Sequence, residues 1–251
     1  MLNLFEFEYL RFKNNRVLFL LPILLIVIGF SGVLLTQIYT DGSISSYLTL
    51  FNIYNAYAQF VFLFISFIYI YSFSEDFSKG SYAFYRQIGY SLRKCLFVKL
   101  VLLYIPTALI VTFFIVLSAL KFQIHEILKI VIAVITINFG LLFCIVFSLF
   151  LSLLLKKKTM FAAVTNFIIY IACNILNLVL LGLTNPLDGN SLSTSMVKYL
   201  FLGNISNQSI VRTHWNFETQ NFLFAVMPSI VYVLIFGIII YIYSGRKNYE
   251  T

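Results

Sequence analysis

Six long stretches of this sequence contain no aspartate, glutamate, lysine or arginine. They occupy residues 17–40, 42–74, 100–120, 130–155, 159–187 and 219–245. A helix needs roughly 20 apolar residues to cross the hydrocarbon core of a bilayer, so each stretch is long enough for one crossing. Because a backbone in lipid must satisfy its own hydrogen bonds, these stretches are expected to be helical. The sequence therefore predicts an all-α membrane protein with six transmembrane helices.

Composition supports the same class of protein. Of the 251 residues, 61% are hydrophobic and only 10% are charged, whereas soluble domains carry about 25% charged residues. A water-soluble enzyme is therefore excluded. The net charge of +8 comes from basic residues beside the apolar stretches. Such residues orient membrane helices, so we expect no nucleic-acid partner.

The chain is interpreted as a single transmembrane domain over residues 1–251. An interfacial helix is predicted at 1–16 and a structured loop at 75–95, and a long outer segment is predicted at 185–219. The second span begins near 51 because the residues just after Gly42 are polar. The spans are predicted near 17–40, 51–74, 97–120, 130–155, 159–184 and 220–244.

Basic residues indicate the orientation of the spans. If the N-terminus lies inside, 13 of the 17 lysines and arginines fall on the inner side and 4 on the outer side. Cytoplasmic loops carry an excess of these residues. We therefore expect a multi-pass protein of the cell membrane with both termini in the cytoplasm.

The first 16 residues carry an apolar stripe at helical spacing. Leu2, Phe5, Tyr9 and Phe12 align on one face. This pattern predicts an amphipathic helix along the inner membrane surface, with Glu6, Glu8, Arg11 and Lys13 off the stripe. The alternative is a plain cytoplasmic extension of the first span.

The inner loop after the second span is longer than a helix connection needs, which is about 2–8 residues. Its acidic residues Glu75 and Asp76 are typical of a helix N-terminus, whereas Arg93 and Lys94 are typical of a C-terminus. Judged from its residues alone, the loop either docks a protein or anchors to anionic lipid headgroups.

No pattern of residues in this sequence indicates a catalytic site. No ionisable residue lies at the centre of a span, and His125 and His214 both fall in outer segments. Neutral Asn166 and Asn177 share one face of the fifth span, where they either join helices or line a path. No glycine-rich phosphate loop is present. The chain is therefore predicted to be no enzyme, and any ATP would be hydrolysed by another polypeptide.

The order of these features resembles the permease subunits of type-2 ABC exporters. An N-terminal amphipathic helix precedes six spans, and the loop after the second span carries an acidic residue, a glycine and a basic pair at Glu75, Gly80 and Arg93-Lys94. In size and character the chain is similar to bacterial permeases of peptide-toxin exporters and lantibiotic-immunity transporters.

The resemblance implies one partner in the membrane and another in the cytoplasm. Two permease subunits, identical or paralogous, would form the path, and a cytoplasmic ABC ATPase would bind ATP and magnesium, so this chain needs no cofactor. The implied cargo is amphipathic or apolar, such as a peptide toxin or antimicrobial peptide. The alternative is a stand-alone carrier, channel or sensor-anchoring subunit. The implied coupling residues are Glu75, Asp76, Lys79, Gly80, Tyr82, Arg86, Arg93 and Lys94.

Overall fold

The structure is a computed structural model that describes residues 2–39, 57, 64–121, 123–125, 127–156, 158–183 and 219–245. Nearly all of the predicted outer segment 185–219 and the first part of the predicted span 51–74 lie outside these residues. The side chains of Leu2 and Asn177 also lie outside them, as does the whole of His214.

The described part of the chain is helical throughout, with short turns between helices and no strand. Its eight helices are α1 (Leu2–Asn14), α2 (Arg16–Tyr39), α3 (Ser66–Ser78), α4 (Ser81–Gln87), α5 (Leu92–Lys121), α6 (Ile127–Leu155), α7 (Thr159–Leu183) and α8 (Thr219–Gly245).

Long apolar runs explain the longest helices. Within the described residues, three segments are long and apolar enough to cross a bilayer, namely Leu92–Lys121, Ile127–Leu155 and Val226–Gly245. The all-helical class is therefore confirmed for the described residues, and these three helices indicate a membrane protein by length and composition. The predicted number of six spans stays a prediction. Pro106 and Pro228 lie inside two of these helices, where each removes one backbone hydrogen bond.

Helix α6 is the centre of the bundle. It packs against α3, α5, α7 and α8, and its Phe143 is fully buried. Phe143 and Phe147 lie against Tyr232 and Phe236 of α8. Aromatic side chains therefore supply much of the contact between α6 and α8.

Two short helices lie together at one end of the bundle. Helix α1 packs against α2 and α5, and α4 packs against α3 and α5. We call this end, which also includes the end of α3 and the start of α5, the α1 end. Lys121 and His125 lie at the opposite end, in and after the last turn of α5.

The charged residues of the loop lie at the opposite helix ends from those expected from the sequence. Glu75 and Asp76 lie in the last turns of α3, and Arg93 and Lys94 lie in the first turn of α5. The expectation was wrong because the apolar run before Glu75 carries the helix onward through both carboxylates. Their unfavourable place near a helix C-terminus is offset for Asp76 by Arg11 and Lys99 from other helices and for Glu75 by Lys79 at the end of α3 itself.

Candidate functional site

A buried carboxylate is the centre of the α1 end. Asp76 has no exposed surface. Its Oδ1 accepts a hydrogen bond from Arg11 Nη2 of α1 at 2.5 Å, and its Oδ2 accepts one from Lys99 Nζ of α5 at 2.5 Å. One side chain therefore joins three helices. Together with Glu8, these residues form what we call the Asp76 cluster.

Helix α1 contributes the buried Glu8 and the half-buried Arg11 to the Asp76 cluster. Glu8 is 3% exposed and accepts a hydrogen bond from Arg11 Nη1 at 3.2 Å. The same Nη1 atom donates to the Tyr85 hydroxyl of α4 at 2.9 Å, and Arg11 Nη2 also donates to Ser81 Oγ at 3.3 Å. The planar guanidinium of Arg11 therefore connects α1 to both α3 and α4.

Lys99 enters the cluster from the first turns of α5. It is 7% exposed, and its ammonium group also donates to the Ser72 carbonyl oxygen. This second bond helps to satisfy a buried ammonium group, which is costly to remove from water unless it is paired. Lys99 is therefore fixed to α3 at two points.

Two cations and two carboxylates balance within the cluster. Burial by itself lowers the pKa of Arg11, but Asp76, the Tyr85 hydroxyl and Glu8 together raise it above its ordinary value. Arg11 thus stays charged. Because breaking a buried pair leaves an uncompensated charge, the cluster makes separation of the three helices costly.

Glu75 lies next to Asp76 in the sequence and makes two polar contacts of its own beside the cluster. Its Oε2 accepts a hydrogen bond from Asn15 Nδ2 at 3.0 Å, and its Oε1 accepts one from Lys79 Nζ at 2.6 Å. The hydrogen bond to Glu75 raises the pKa of Lys79. Asn15 lies between α1 and α2, so Glu75 holds this junction against α3.

Gly80 sets the turn from α3 into α4. Its φ of 69° lies in the left-handed region, which side chains with a Cβ rarely adopt. Its carbonyl oxygen accepts hydrogen bonds from the backbone N–H groups of Ala83 and Phe84. Gly80 thereby starts α4 immediately after α3.

Helix α4 has a buried side and an exposed side. Tyr85 is buried against Leu4 and Val98. Phe84 and Ile88 are 50% and 56% exposed. The exposed side thus carries apolar surface on a short helix that the Asp76 cluster holds in place.

The remaining predicted coupling residues lie around this site in different surroundings. The ring of Tyr82 packs on Phe77, and burial raises the pKa of its hydroxyl well above the ordinary value. Arg86 and Lys94 are exposed, whereas Arg93 is half-buried and contacts α8. Arg93 therefore lies apart from the Asp76 cluster.

The predicted interfacial stripe and the buried face of α1 differ. Phe5 and Tyr9 are exposed, and Phe12 packs partly against the core. The buried face instead carries Leu4 and Glu8. An apolar side directed away from the protein suits contact with a membrane surface.

Asn166 connects two helices within the bundle. Its Nδ2 donates to Ser66 Oγ of α3 at 2.7 Å, and Asn166 is buried. This hydrogen bond is one of the two roles expected from the sequence, and it joins α7 to α3.

Sequence reasoning did not single out Glu8, Arg11 or Lys99 as site residues. Leu4, Glu8 and Arg11 recur at helical spacing, which was the available signal for a second face on α1. A small cavity of about 30 Å³ borders Arg11, Asp76 and Lys99. Because ligand pockets measure about 300–1,000 Å³, this cavity is far too small for a peptide.

No protein family, curated protein or solved structure matches the chain.

Proposed function

We propose that this chain is the membrane-spanning permease subunit of an ATP-driven exporter of the ABC type. In this proposal it has six spans with both termini in the cytoplasm of a bacterial cell. It moves an amphipathic or apolar cargo, such as a peptide toxin or antimicrobial peptide, and pairs with a second permease copy or a paralogue. A separate cytoplasmic ATPase supplies the energy.

The observation that carries this proposal is the buried bridge at Asp76. A motor outside the membrane needs a firm connection to the helices that it moves. Asp76 bonds to Arg11 and Lys99, so a displacement of α3 at this end also acts on α1 and α5. Because packed interiors deform little, such a bridge transmits displacement.

The exposed side of α4 supports a docking partner at the same end. Phe84 and Ile88 present apolar surface, with exposed Arg86 between them in sequence. Apolar anchors with a polar or charged rim are typical of protein interfaces. The ATPase is therefore proposed to contact α4.

The topology has its own test. A reporter enzyme fused after Asn204 should be active only outside the cell, and one fused after Lys157 only inside. Both fusion points lie outside the described residues, and the expectation follows from the positions of the basic residues. The reverse pattern of activity would contradict the proposed orientation.

The function is tested by purifying the tagged full-length chain from native membranes and reconstituting it with any bound ATPase in vesicles. Glu75→Lys removes both hydrogen bonds of Glu75 and places a second ammonium group beside Lys79. Gly80→Trp forces a side chain into a left-handed conformation. Both variants are expected to reduce the stimulation of ATP hydrolysis by a cationic amphipathic peptide about tenfold, equivalent to roughly 1.4 kcal/mol of lost coupling.

A matched control lies at the opposite end of the bundle. His125→Lys also introduces a lysine, but at an exposed position after α5, and it should leave hydrolysis at the wild-type level. Unchanged stimulation in both Glu75→Lys and Gly80→Trp would contradict the coupling role of the end of α3 and of the α3–α5 connection, residues 79–91. Peptide transport that proceeds with no ATPase present would favour the stand-alone carrier instead.

A further inference from the structure

The start of α5 holds the C-terminal end of α8 through one side chain. Arg93 Nε donates to the Tyr241 carbonyl oxygen at 3.2 Å. The guanidinium carbon of Arg93 lies 3.8 Å from the centroid of the Tyr241 ring. A cation near a helix C-terminus and over an aromatic face is favourable on both counts.

Gly245 leaves the space that this arrangement needs. A Cβ atom at position 245 would lie 1.9 Å from Nη2 and 2.9 Å from Cζ of Arg93. Any other residue at position 245 would therefore displace the guanidinium. Gly237 provides the contrast within the same helix, because a Cβ atom there meets no heavy atom within 4 Å.

The contact between Arg93 and Tyr241 is distinct from the Asp76 cluster. Helix α8 packs mainly along α6 and only in part against α5. Arg93 lies in the first turn of α5, directly after the connection that carries α4. A movement of that connection therefore acts on the end of α8 through the contact between Arg93 and Tyr241.

We propose that Arg93 is a positioning residue that makes the C-terminal end of α8 move together with the α3–α5 connection. This inference rests on the proposed function, because the movement is supplied by the ATPase. It assigns Arg93 to a contact within the chain and not to the surface that meets the ATPase. The residue pair Arg93 and Gly245 thus extends the coupling path from α1, α3 and α5 to α8.

The contact itself is tested without any ATPase. Hydrogen–deuterium exchange of residues 238–244 is measured by mass spectrometry on the full chain in lipid nanodiscs. Gly245→Ala and Arg93→Gln should each speed exchange about two- to fivefold, which corresponds to the loss of an exposed cation–π contact. Alanine by itself favours a helix and would slow exchange. An increase in Gly245→Ala therefore reports the displaced guanidinium, and Gly237→Ala should show none.

The role in coupling is tested with the same variants in vesicles that contain the ATPase. Peptide-stimulated hydrolysis should fall about two- to fivefold in Gly245→Ala and Arg93→Gln and stay unchanged in Gly237→Ala. Unchanged exchange would overturn the contact. Faster exchange with full stimulation would overturn the role of Arg93 while the proposed function stands. If the wild-type chain shows no stimulation, the proposed function fails and the inference fails with it.

Discussion

Asp76→Asn is expected to lower the free energy of unfolding by about 3–5 kcal/mol, the usual cost of removing one partner from a buried ion pair. The amide has no charge to offset Arg11 and Lys99, which both bond to this side chain. The measurement is a denaturant titration of helicity in detergent micelles. We also expect α1 to exchange its amide hydrogens faster, because Arg11 loses its strongest attachment.

Two further variants separate the loss of the ion pair from a general effect of mutation. Glu6→Gln removes an exposed carboxylate charge on α1, the helix that Arg11 ties to Asp76, and should stay within about 0.5 kcal/mol of the wild-type chain. The quadruple variant Asp76→Leu, Glu8→Leu, Arg11→Met, Lys99→Met removes all four charges of the cluster and should recover much of the lost stability, since apolar groups often replace buried ions without cost. A wild-type unfolding energy in Asp76→Asn would refute the structural role of the cluster.

Gly29→Leu is expected to lower the free energy of unfolding by about 3 kcal/mol or more, because it overpacks a site with no room. A Cβ atom at position 29 would lie 2.5 Å from the Tyr57 hydroxyl oxygen and 2.6 Å from Phe114 Cδ1. Tyr57 also donates to the Leu25 carbonyl oxygen at 3.0 Å. At this point α2 approaches both Tyr57 and α5 closely, as small residues allow in membrane helices.

Gly237→Leu is the matched control for this overpacking. It makes the same change in another helix, where no atom lies within 4 Å of the added Cβ. Both variants gain the same helix propensity of roughly 1 kcal/mol, so their difference in the denaturant titration isolates the steric cost. Equal stability of the two variants would show that the close approach at Gly29 is wrong.

The helical architecture could be predicted because its cause is local. Apolar runs without charges dictate helices wherever they occur, and the sequence contains several. Gly29 lies inside one of these runs, and a small residue there permits a close approach of helices. In each case, residues adjacent in sequence carried the signal.

The Asp76 cluster could not be predicted because its cause is not local. Arg11 and Asp76 are 65 residues apart in sequence, and Asp76 and Lys99 are 23 apart. Hydrophobic periodicity identified the apolar stripe of α1 and placed Glu8 off that stripe. Nothing in a single sequence tells which of several carboxylates and ammonium groups are buried together.

The helix ends at which the loop charges lie were wrongly predicted for a related reason. Acidic residues near a helix start and basic residues near its end are favoured by the helix dipole. At Asp76 that preference of less than about 1 kcal/mol is outweighed by Arg11 and Lys99 from other helices, which sequence periodicity does not reveal. At Glu75 it is offset by Lys79 four residues further along the chain.

The central claim is that this chain moves its cargo only when a separate ATPase acts on the α1 end. The most direct measurement is uptake of a fluorescent cationic amphipathic peptide by inverted vesicles that contain the full chain, with ATP and magnesium supplied and the ATPase subunit either present or omitted. We expect uptake only when the ATPase is present, and its loss in Glu75→Lys. Equal uptake in vesicles that lack the ATPase would show that the chain moves its cargo without a separate motor and would refute the proposed function.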